Sequence, residues 1–216
     1  MKHAADAILH ADQAQYLEGL EPSRDPILTE MEAFAAANHH PISDPEVAGF
    51  LAVVARATRP KRIVEVGANI GYGAIVLARA APEAHVVTIE LSKDLCRVAR
   101  DYVTRANLSD RIEVREGAAL AELDRCDPGV DLFYVDCVKE EYPAYLERIL
   151  PRLSERGVIV ADNVLWQGLV AKKDVPPDQE KRVAALRAFN KSLTTNPLLR
   201  SVILPLGDGV AFAVRT

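Results

Sequence analysis

Residues 62–73 constrain the fold of this chain more than any other stretch. They read RIVEVGANIGYG, in which a short apolar run predicts a buried strand over residues 63–66. Glycines end the strand, and a helical pattern begins at Ala74. A strand, a glycine turn and a helix form a nucleotide-type site, because the helix N-terminus offers unpaired N–H groups and glycines let a ligand approach the backbone. A plain turn is the alternative interpretation.

The spacing of the glycines argues against a dinucleotide. Gly67 and Gly71 stand four residues apart, whereas dinucleotide-binding folds have the pattern G-x-G-x-x-G. Glu65 lies two residues before the first glycine, where a carboxylate would repel a pyrophosphate and attract a cation. S-adenosylmethionine carries a sulfonium, an ammonium and a ribose, so it suits this loop. A nicotinamide oxidoreductase is disfavoured.

From residue 61 onward, strand patterns alternate with helix patterns. The predicted strands are 63–66, 86–90, 112–115, 131–136, 157–162, 199–204 and 210–214, and the predicted helices include 93–105, 118–123, 142–153 and 180–193. Such alternation indicates a parallel sheet with helices on both faces. Gly207, Asp208 and Gly209 predict a hairpin turn, so we expect the sheet to end in an antiparallel pair.

Residues 1–58 are predicted to be helical and to form a cap over one end of the sheet. Helix candidates lie around residues 7–9, over 27–38 and over 44–58, and Asp-Pro pairs mark the starts of the last two. The cap either completes the core or covers a substrate. The 216 residues fit a single domain, with the helical cap at 1–58 and a cofactor-binding core at 59–216.

Charge and cysteine content limit the classes of function that fit this chain. The net charge of −5 gives no basic footprint for nucleic acid, although Lys172, Lys173, Lys181 and Arg182 would form a local patch. No apolar run approaches the roughly 18 residues that span a membrane. The first residues lack the apolar core of a signal peptide, and three cysteines without metal-ligand spacing fit a reduced, cytoplasmic protein.

Polar residues end the predicted parallel strands, where open sheets bind their ligands. Glu90 ends the second strand and is placed to accept hydrogen bonds from ribose hydroxyls, unless it is a solvated loop acid. Asp136, Asp162 and Asn163 end the fourth and fifth strands. Two carboxylates and an amide oxygen suit Mg²⁺, with Mn²⁺ and Ca²⁺ as alternatives. The alternative is that Asp162 and Asn163 only turn the chain.

Three further residues have candidate roles. Lys139 lies three residues after Asp136, where partial burial beside a metal would lower its pKa and make it a general base, unless it is an ordinary surface lysine. Trp166, the only tryptophan, either walls a pocket for a flat substrate or packs in the core. Ala119 follows the third strand, and its small side chain would let an adenine ring lie flat.

Several segments resemble the metal-dependent, S-adenosylmethionine-dependent O-methyltransferases, the group that contains catechol and caffeoyl-coenzyme A O-methyltransferases and many bacterial relatives. The similar segments are VEVGANIGY (64–72), TIE (88–90), EGAA (116–119), VDCVK (135–139) with Tyr142, ADNVLWQG (161–168), Phe189-Asn190 and LPLGDG (204–209). The chain departs from the family at Cys137 and Val138, where many members have Ala and Asp, and at Gly73, where serine is usual. Residues 41–44 match loosely.

The resemblance implies an α/β fold of the class I methyltransferase type, a Rossmann-like seven-stranded sheet that is mostly parallel with its last strand antiparallel, with N-terminal cap helices. It implies metal ligands at Asp136, Asp162 and Asn163 and a base at Lys139. The candidate residues of the S-adenosylmethionine site are Ser43, Glu65, Gly67, Asn69, Tyr72, Gly73, Glu90, Leu91, Ala119 and Asp136.

The expected reaction is methyl transfer to a cation-held hydroxyl of a small, catechol-like aromatic substrate. Lys139 and Asp136 are the candidate catalytic residues, with Lys139 removing the hydroxyl proton before the oxygen attacks the sulfonium methyl. We also expect a homodimer. Two alternatives stay open: a transfer RNA hydroxyuridine O-methyltransferase, which the acidic charge disfavours, and a non-catalytic S-adenosylmethionine-binding module.

Overall fold

The chain alternates helices and strands around a central sheet. The computed structural model describes residues 11–18, 20 and 25–216, so the helix predicted around residues 7–9 lies outside the described residues. The helices are α1 Ala11–Glu18, α2 Pro26–Asn38, α3 Pro45–Thr58, α4 Tyr72–Ala80, α5 Lys93–Arg105, α6 Ala119–Asp124, α7 Tyr142–Ile149 and α8 Glu180–Thr195. The strands are β1 Arg62–Val66, β2 His85–Glu90, β3 Ile112–Glu116, β4 Val130–Val135, β5 Leu153–Ala161, β6 Leu199–Leu204 and β7 Val210–Arg215.

The sheet has the order β3-β2-β1-β4-β5-β7-β6. Strands β1 to β5 run parallel to one another, and β7 runs antiparallel to both β5 and β6. This confirms the predicted seven-stranded, mostly parallel sheet with an antiparallel end. The strand order reverses between β1 and β4, and such a switch point is where open parallel sheets bind ligands.

Helices α2 and α3 complete the core on one face of the sheet. Asp25 begins α2 by accepting a 2.9 Å hydrogen bond from the Ile27 amide, and Pro26 occupies the first turn. Met31 of α2 and Leu51 of α3 are fully buried in the same apolar cluster as α4 and α5. The opposite face is covered by α6, α7 and α8. No helix among residues 11–18, 20 and 25–216 is long and apolar enough to cross a bilayer.

The prediction of one helix over residues 142–153 is wrong at its C-terminal end. Helix α7 stops at Ile149, and a 3₁₀ turn over Leu150–Arg152 leads directly into β5. Pro151 explains the change, because a proline has no N–H to continue the helical hydrogen bonds. Strand β5 therefore begins at Leu153, earlier than the predicted start at Gly157, and pairs there with Val130 of β4.

Candidate active site

A cleft of about 550 Å³ lies at the carboxyl ends of β1, β2, β4 and β5. The loops that follow these strands form most of its walls, and the segment 41–44 between α2 and α3 closes one side. Of the predicted site residues, those that line the cleft are Ser43, Glu65, Gly67, Asn69, Tyr72, Gly73, Glu90, Asp136, Lys139, Asp162, Asn163 and Trp166. One cleft thus brings together most of the predicted cofactor, metal and catalytic positions.

Two predicted cofactor residues do not line the cleft. Leu91 is 72% exposed, just after β2. Ala119 begins α6 and packs against the apolar cluster on the α6–α8 face of the sheet. Their cofactor-binding roles stay predictions.

The glycine loop after β1 is held against the ends of β2 and β4. Gly67 has a φ of 104°, and a Cβ there would lie 2.1 Å from the Asp136 carbonyl oxygen, so only glycine fits. The two carboxylate oxygens of Glu90 accept 2.9 Å hydrogen bonds from the amides of Asn69 and Ser92. Glu90 therefore fixes the loop on which a cofactor would lie, and each of its oxygens keeps a further lone pair.

Glu65 is buried beneath this loop with only 1% of its surface exposed. Thr88 donates a 2.5 Å hydrogen bond to its Oε2. Burial, with a smaller contribution from the charge of Asp136, raises the pKa of Glu65 to about 8, although the Thr88 hydrogen bond acts against the shift. A Cβ on Gly73 would lie 2.1 Å from Glu65 Oε1. The glycine at this position therefore provides the space that the Glu65 carboxyl occupies.

Lys139 and Asp136 form a largely buried ion pair on the other side of the cleft. The Lys139 Nζ lies 2.6 Å from Asp136 Oδ1, and it also lies 5.2 Å from the centre of the Tyr142 ring. Burial would lower the pKa of Lys139, but Tyr142 and Asp136 together raise it above its ordinary value. The pKa of Lys139 is thus raised in the absence of a cation, and the expectation of a lowered pKa beside a metal stays a prediction. Lys139 is an ammonium at neutral pH.

Asp162 and Asn163 follow β5 next to this ion pair. Asp162 is 2% exposed, and its Oδ1 accepts a 2.7 Å hydrogen bond from the Asn163 amide. Burial and then the charge of Asp136 raise the pKa of Asp162. Within the described part of the chain there is no group of three or more His, Cys, Asp or Glu that could hold a metal. Two carboxylates and one amide still make an oxygen donor set that fits a hard divalent cation. The positive charge of the cation would lower the raised pKa of Asp162.

The outer wall of the cleft is an aromatic and cationic pair. The Arg182 guanidinium stacks 4.7 Å from the centre of the Trp166 ring and forms a 3.1 Å ion pair with Glu140. Gln179 accepts a 2.9 Å hydrogen bond from the Trp166 indole. Trp166 has a φ of 46°, which is uncommon for a bulky residue. Residues with such backbone conformations are more frequent at functional sites than elsewhere. Trp166 lines the cleft and also packs against the apolar cluster on the α6–α8 face of the sheet.

The residues that line the cleft without having been predicted as site residues include Tyr134 and Arg182. Tyr134 precedes Asp136 by two positions on β4, so strand alternation would have placed both on one side of the sheet. The sequence places Arg182 only in a basic surface patch. Its place in the cleft depends on how α8 packs, for which no local sequence signal exists.

Comparison with known proteins places the chain among methyl-transferring enzymes. A family model described as O-methyltransferase matches residues 21–216. A caffeoyl-CoA O-methyltransferase of Zinnia elegans is 31% identical over 178 residues, which are 77% of this chain and 72% of that protein. The O-methyltransferase of Bacillus cereus in complex with SAH superimposes with a TM-score of 0.83 and 30% identity, covering 95% of this chain and 97% of that one. The O-methyltransferase TomG of Streptomyces achromogenes, in complex with SAM, has a TM-score of 0.82 and 27% identity, covering 95% and 96%.

Proposed function

The chain belongs to the O-methyltransferase family, and we propose that it methylates one hydroxyl of a small, catechol-like substrate with the help of a divalent cation. The observation that carries the proposal is the convergence of Asp136, Asp162, Asn163 and Lys139 in the cleft that also contains the glycine loop. An oxygen donor set and a lysine beside a cofactor loop suit hydroxyl activation. A binding module without turnover has no need of them.

The cofactor half of the proposed site is the glycine loop with Glu65 and Glu90. S-adenosylmethionine would supply an electrophilic methyl group there. We propose that Glu90 accepts hydrogen bonds from the ribose hydroxyls through its remaining lone pairs, while it still holds the Asn69 and Ser92 amides. The Glu65 carboxyl would attract the positive end of the cofactor, and this contact would shift the carboxyl toward its ionised form.

The acceptor half lies between Lys139 and Trp166. Asp136, Asp162 and Asn163 would hold a divalent cation, with Mg²⁺ the first choice, and the cation would lower the pKa of a substrate hydroxyl. Lys139 would take the hydroxyl proton once the Asp136 charge that now raises its pKa is shared with the cation. Trp166 offers a flat wall on which an aromatic ring would stack.

The transfer RNA alternative has less support from the site. Arg182, one of the four residues of the hypothetical basic patch, is paired with Glu140 and stacked on Trp166 at the cleft. Lys172, Lys173 and Lys181 are exposed, but three lysines make a small electrostatic footprint.

The proposal is tested with methyl-labelled S-adenosylmethionine, Mg²⁺ and a panel of catechol, caffeoyl-CoA, phenol and transfer RNA. We expect the labelled methyl group to appear on catechol and caffeoyl-CoA, which both carry a vicinal diol, and almost no label on phenol or transfer RNA. Label only in RNA would replace the proposed substrate class, and tight cofactor binding with no labelled product across a broader set of hydroxylated acceptors would favour the binding module. Light scattering on the same preparation tests the expected homodimer.

A further inference from the structure

Tyr134 buries a phenolic hydroxyl at the point where the cleft meets the sheet. Only 1% of the residue is exposed, and its ring belongs to the apolar cluster beneath α3 and α4. A phenylalanine would fill nearly the same volume without burying a polar group, which costs free energy unless the group is hydrogen-bonded. We therefore expect the Tyr134 hydroxyl to have a role beyond packing.

The hydroxyl connects two parts of the cleft that are far apart in sequence. It lies 2.8 Å from the Ser43 hydroxyl oxygen and 3.5 Å from Asp162 Oδ2. Tyr134 donates its single hydroxyl proton to Asp162 Oδ2, so the Ser43 hydroxyl is the donor to Tyr134. The two hydrogen bonds thus form a relay in which donation runs from Ser43, in the segment 41–44, through Tyr134 to Asp162 at the end of β5.

Both ends of this relay are fixed by other contacts. The second oxygen of Asp162 accepts the 2.7 Å hydrogen bond from the Asn163 amide, so a donor contacts each carboxylate oxygen. On the other side, Asn69 donates a 2.8 Å hydrogen bond to the Pro41 carbonyl, which ties the segment 41–44 to the glycine loop. Tyr134 is the link between these two anchored parts.

We propose that Tyr134 is a positioning residue whose hydroxyl orients Asp162 for a divalent cation and joins that carboxylate to the segment 41–44 through Ser43. The inference rests on the proposed function, because it assigns Tyr134 a part in building the cation site. Tyr134 itself need not contact the cation or the substrate.

The test compares Tyr134→Phe with Tyr102→Phe, a matched change at another buried tyrosine that lies on α5 outside the cleft lining. Calorimetric titration with Mn²⁺ measures cation affinity without turnover. We expect the Mn²⁺ Kd of Tyr134→Phe to rise roughly fivefold, as loss of one long, charge-assisted hydrogen bond implies. The S-adenosylmethionine Kd and the melting temperature should stay near wild type, and Tyr102→Phe should bind Mn²⁺ as wild type does.

Ser43→Ala supplies a second, independent variant. Because Ser43 acts on Asp162 through Tyr134, the double variant should bind Mn²⁺ no more weakly than Tyr134→Phe alone. Wild-type Mn²⁺ affinity in Tyr134→Phe would overturn the inference and leave the proposed function standing. A wild-type protein that binds no Mn²⁺ would instead remove the cation from the proposed function and this inference with it.

Discussion

The ammonium nitrogen of Lys139 lies 2.6 Å from Oδ1 of Asp136, and only 8% of the lysine side chain is exposed. A buried ion pair of this kind costs desolvation energy, so it is weak evidence for stability. Its position at the cleft gives it a chemical meaning, because the same carboxylate belongs to the proposed cation site. The state of Lys139 is then linked to whether a cation shares the charge of Asp136.

Replacing this lysine should separate chemistry from cofactor binding. Lys139→Met removes the proposed base but keeps an unbranched side chain, so we expect kcat to fall at least roughly a hundredfold, the usual scale of general base catalysis. The S-adenosylmethionine Kd should stay near wild type. Lys172→Met, at an exposed position, is the matched control. An unchanged kcat, with chemistry shown to limit the rate, would eliminate Lys139 as the base.

The cofactor half of the site depends on Glu90. Glu90→Ala removes the acceptors of the Asn69 and Ser92 amides as well as the proposed ribose contacts, each worth about 1.5–3 kcal/mol. Calorimetry should therefore give an S-adenosylmethionine Kd at least roughly tenfold above wild type. Glu155→Ala, an exposed acid on β5, should leave it unchanged. Equal affinities in the two variants would remove Glu90 from the site.

Two glycine-to-alanine variants should differ in sign. At Gly73 the new Cβ would lie 2.1 Å from Glu65 Oε1, so the buried carboxyl must move away from Thr88, at a cost of about 1–3 kcal/mol in unfolding free energy. At Gly49, inside α3, nothing lies within 4 Å, and alanine should stabilise the helix by about 0.5–1 kcal/mol. Urea denaturation measures both. If both variants were more stable than wild type, the Glu65 carboxyl would not need the space that Gly73 provides.

The raised pKa of Glu65 predicts that stability falls with rising pH. Its folded-state pKa of about 8 lies above the ordinary 4.5, so the folded state holds the proton more tightly. This stabilisation is fully present below about pH 4.5 and is lost as the pH rises through about 8. Asp162, whose pKa is also raised, acts in the same direction.

Glu65→Gln should make this pH dependence smaller. Melting temperatures of the ligand-free protein between about pH 5 and 9 should fall less steeply for Glu65→Gln than for wild type, because the amide does not titrate in this range. Parallel curves for the two proteins would show that Glu65 is ionised when folded, contrary to the effect of its burial.

The sequence carried more information about the ends of the strands than about the walls of the cleft. Asp136, Asp162 and Glu90 were found from strand patterns alone, because parallel strands of one sheet end at a common edge. The same pattern predicts that Tyr134 lies on the side of the sheet that faces Asp136, since side chains two residues apart on a strand share a face. It was missed because an aromatic residue in a buried strand is usually only packing.

Other features depend on contacts that no local pattern encodes. Arg182 reaches Trp166 and Glu140 only because α8 packs against the loops after β4 and β5. The run Ser154–Arg156 gave no strand signal, yet β5 includes it. Leu153 before the run pairs with Val130 of β4, and the pairing resumes at Val158 after an irregularity. The raised pKa of Lys139 likewise follows from the proximity of Tyr142 and Asp136, which spacing alone does not give.

The most direct test of the account is methyl transfer from labelled S-adenosylmethionine to catechol, with Mg²⁺ and with excess chelator, in wild type and in Asp162→Ala. A vicinal diol fills two cation positions at once, which fixes one oxygen for attack. We predict monomethylated catechol with Mg²⁺ in wild type, and background product in chelator or in Asp162→Ala with Mg²⁺. Equal rates with Mg²⁺ and with chelator in wild type would contradict the proposal that Asp136, Asp162 and Asn163 hold a cation required for the reaction.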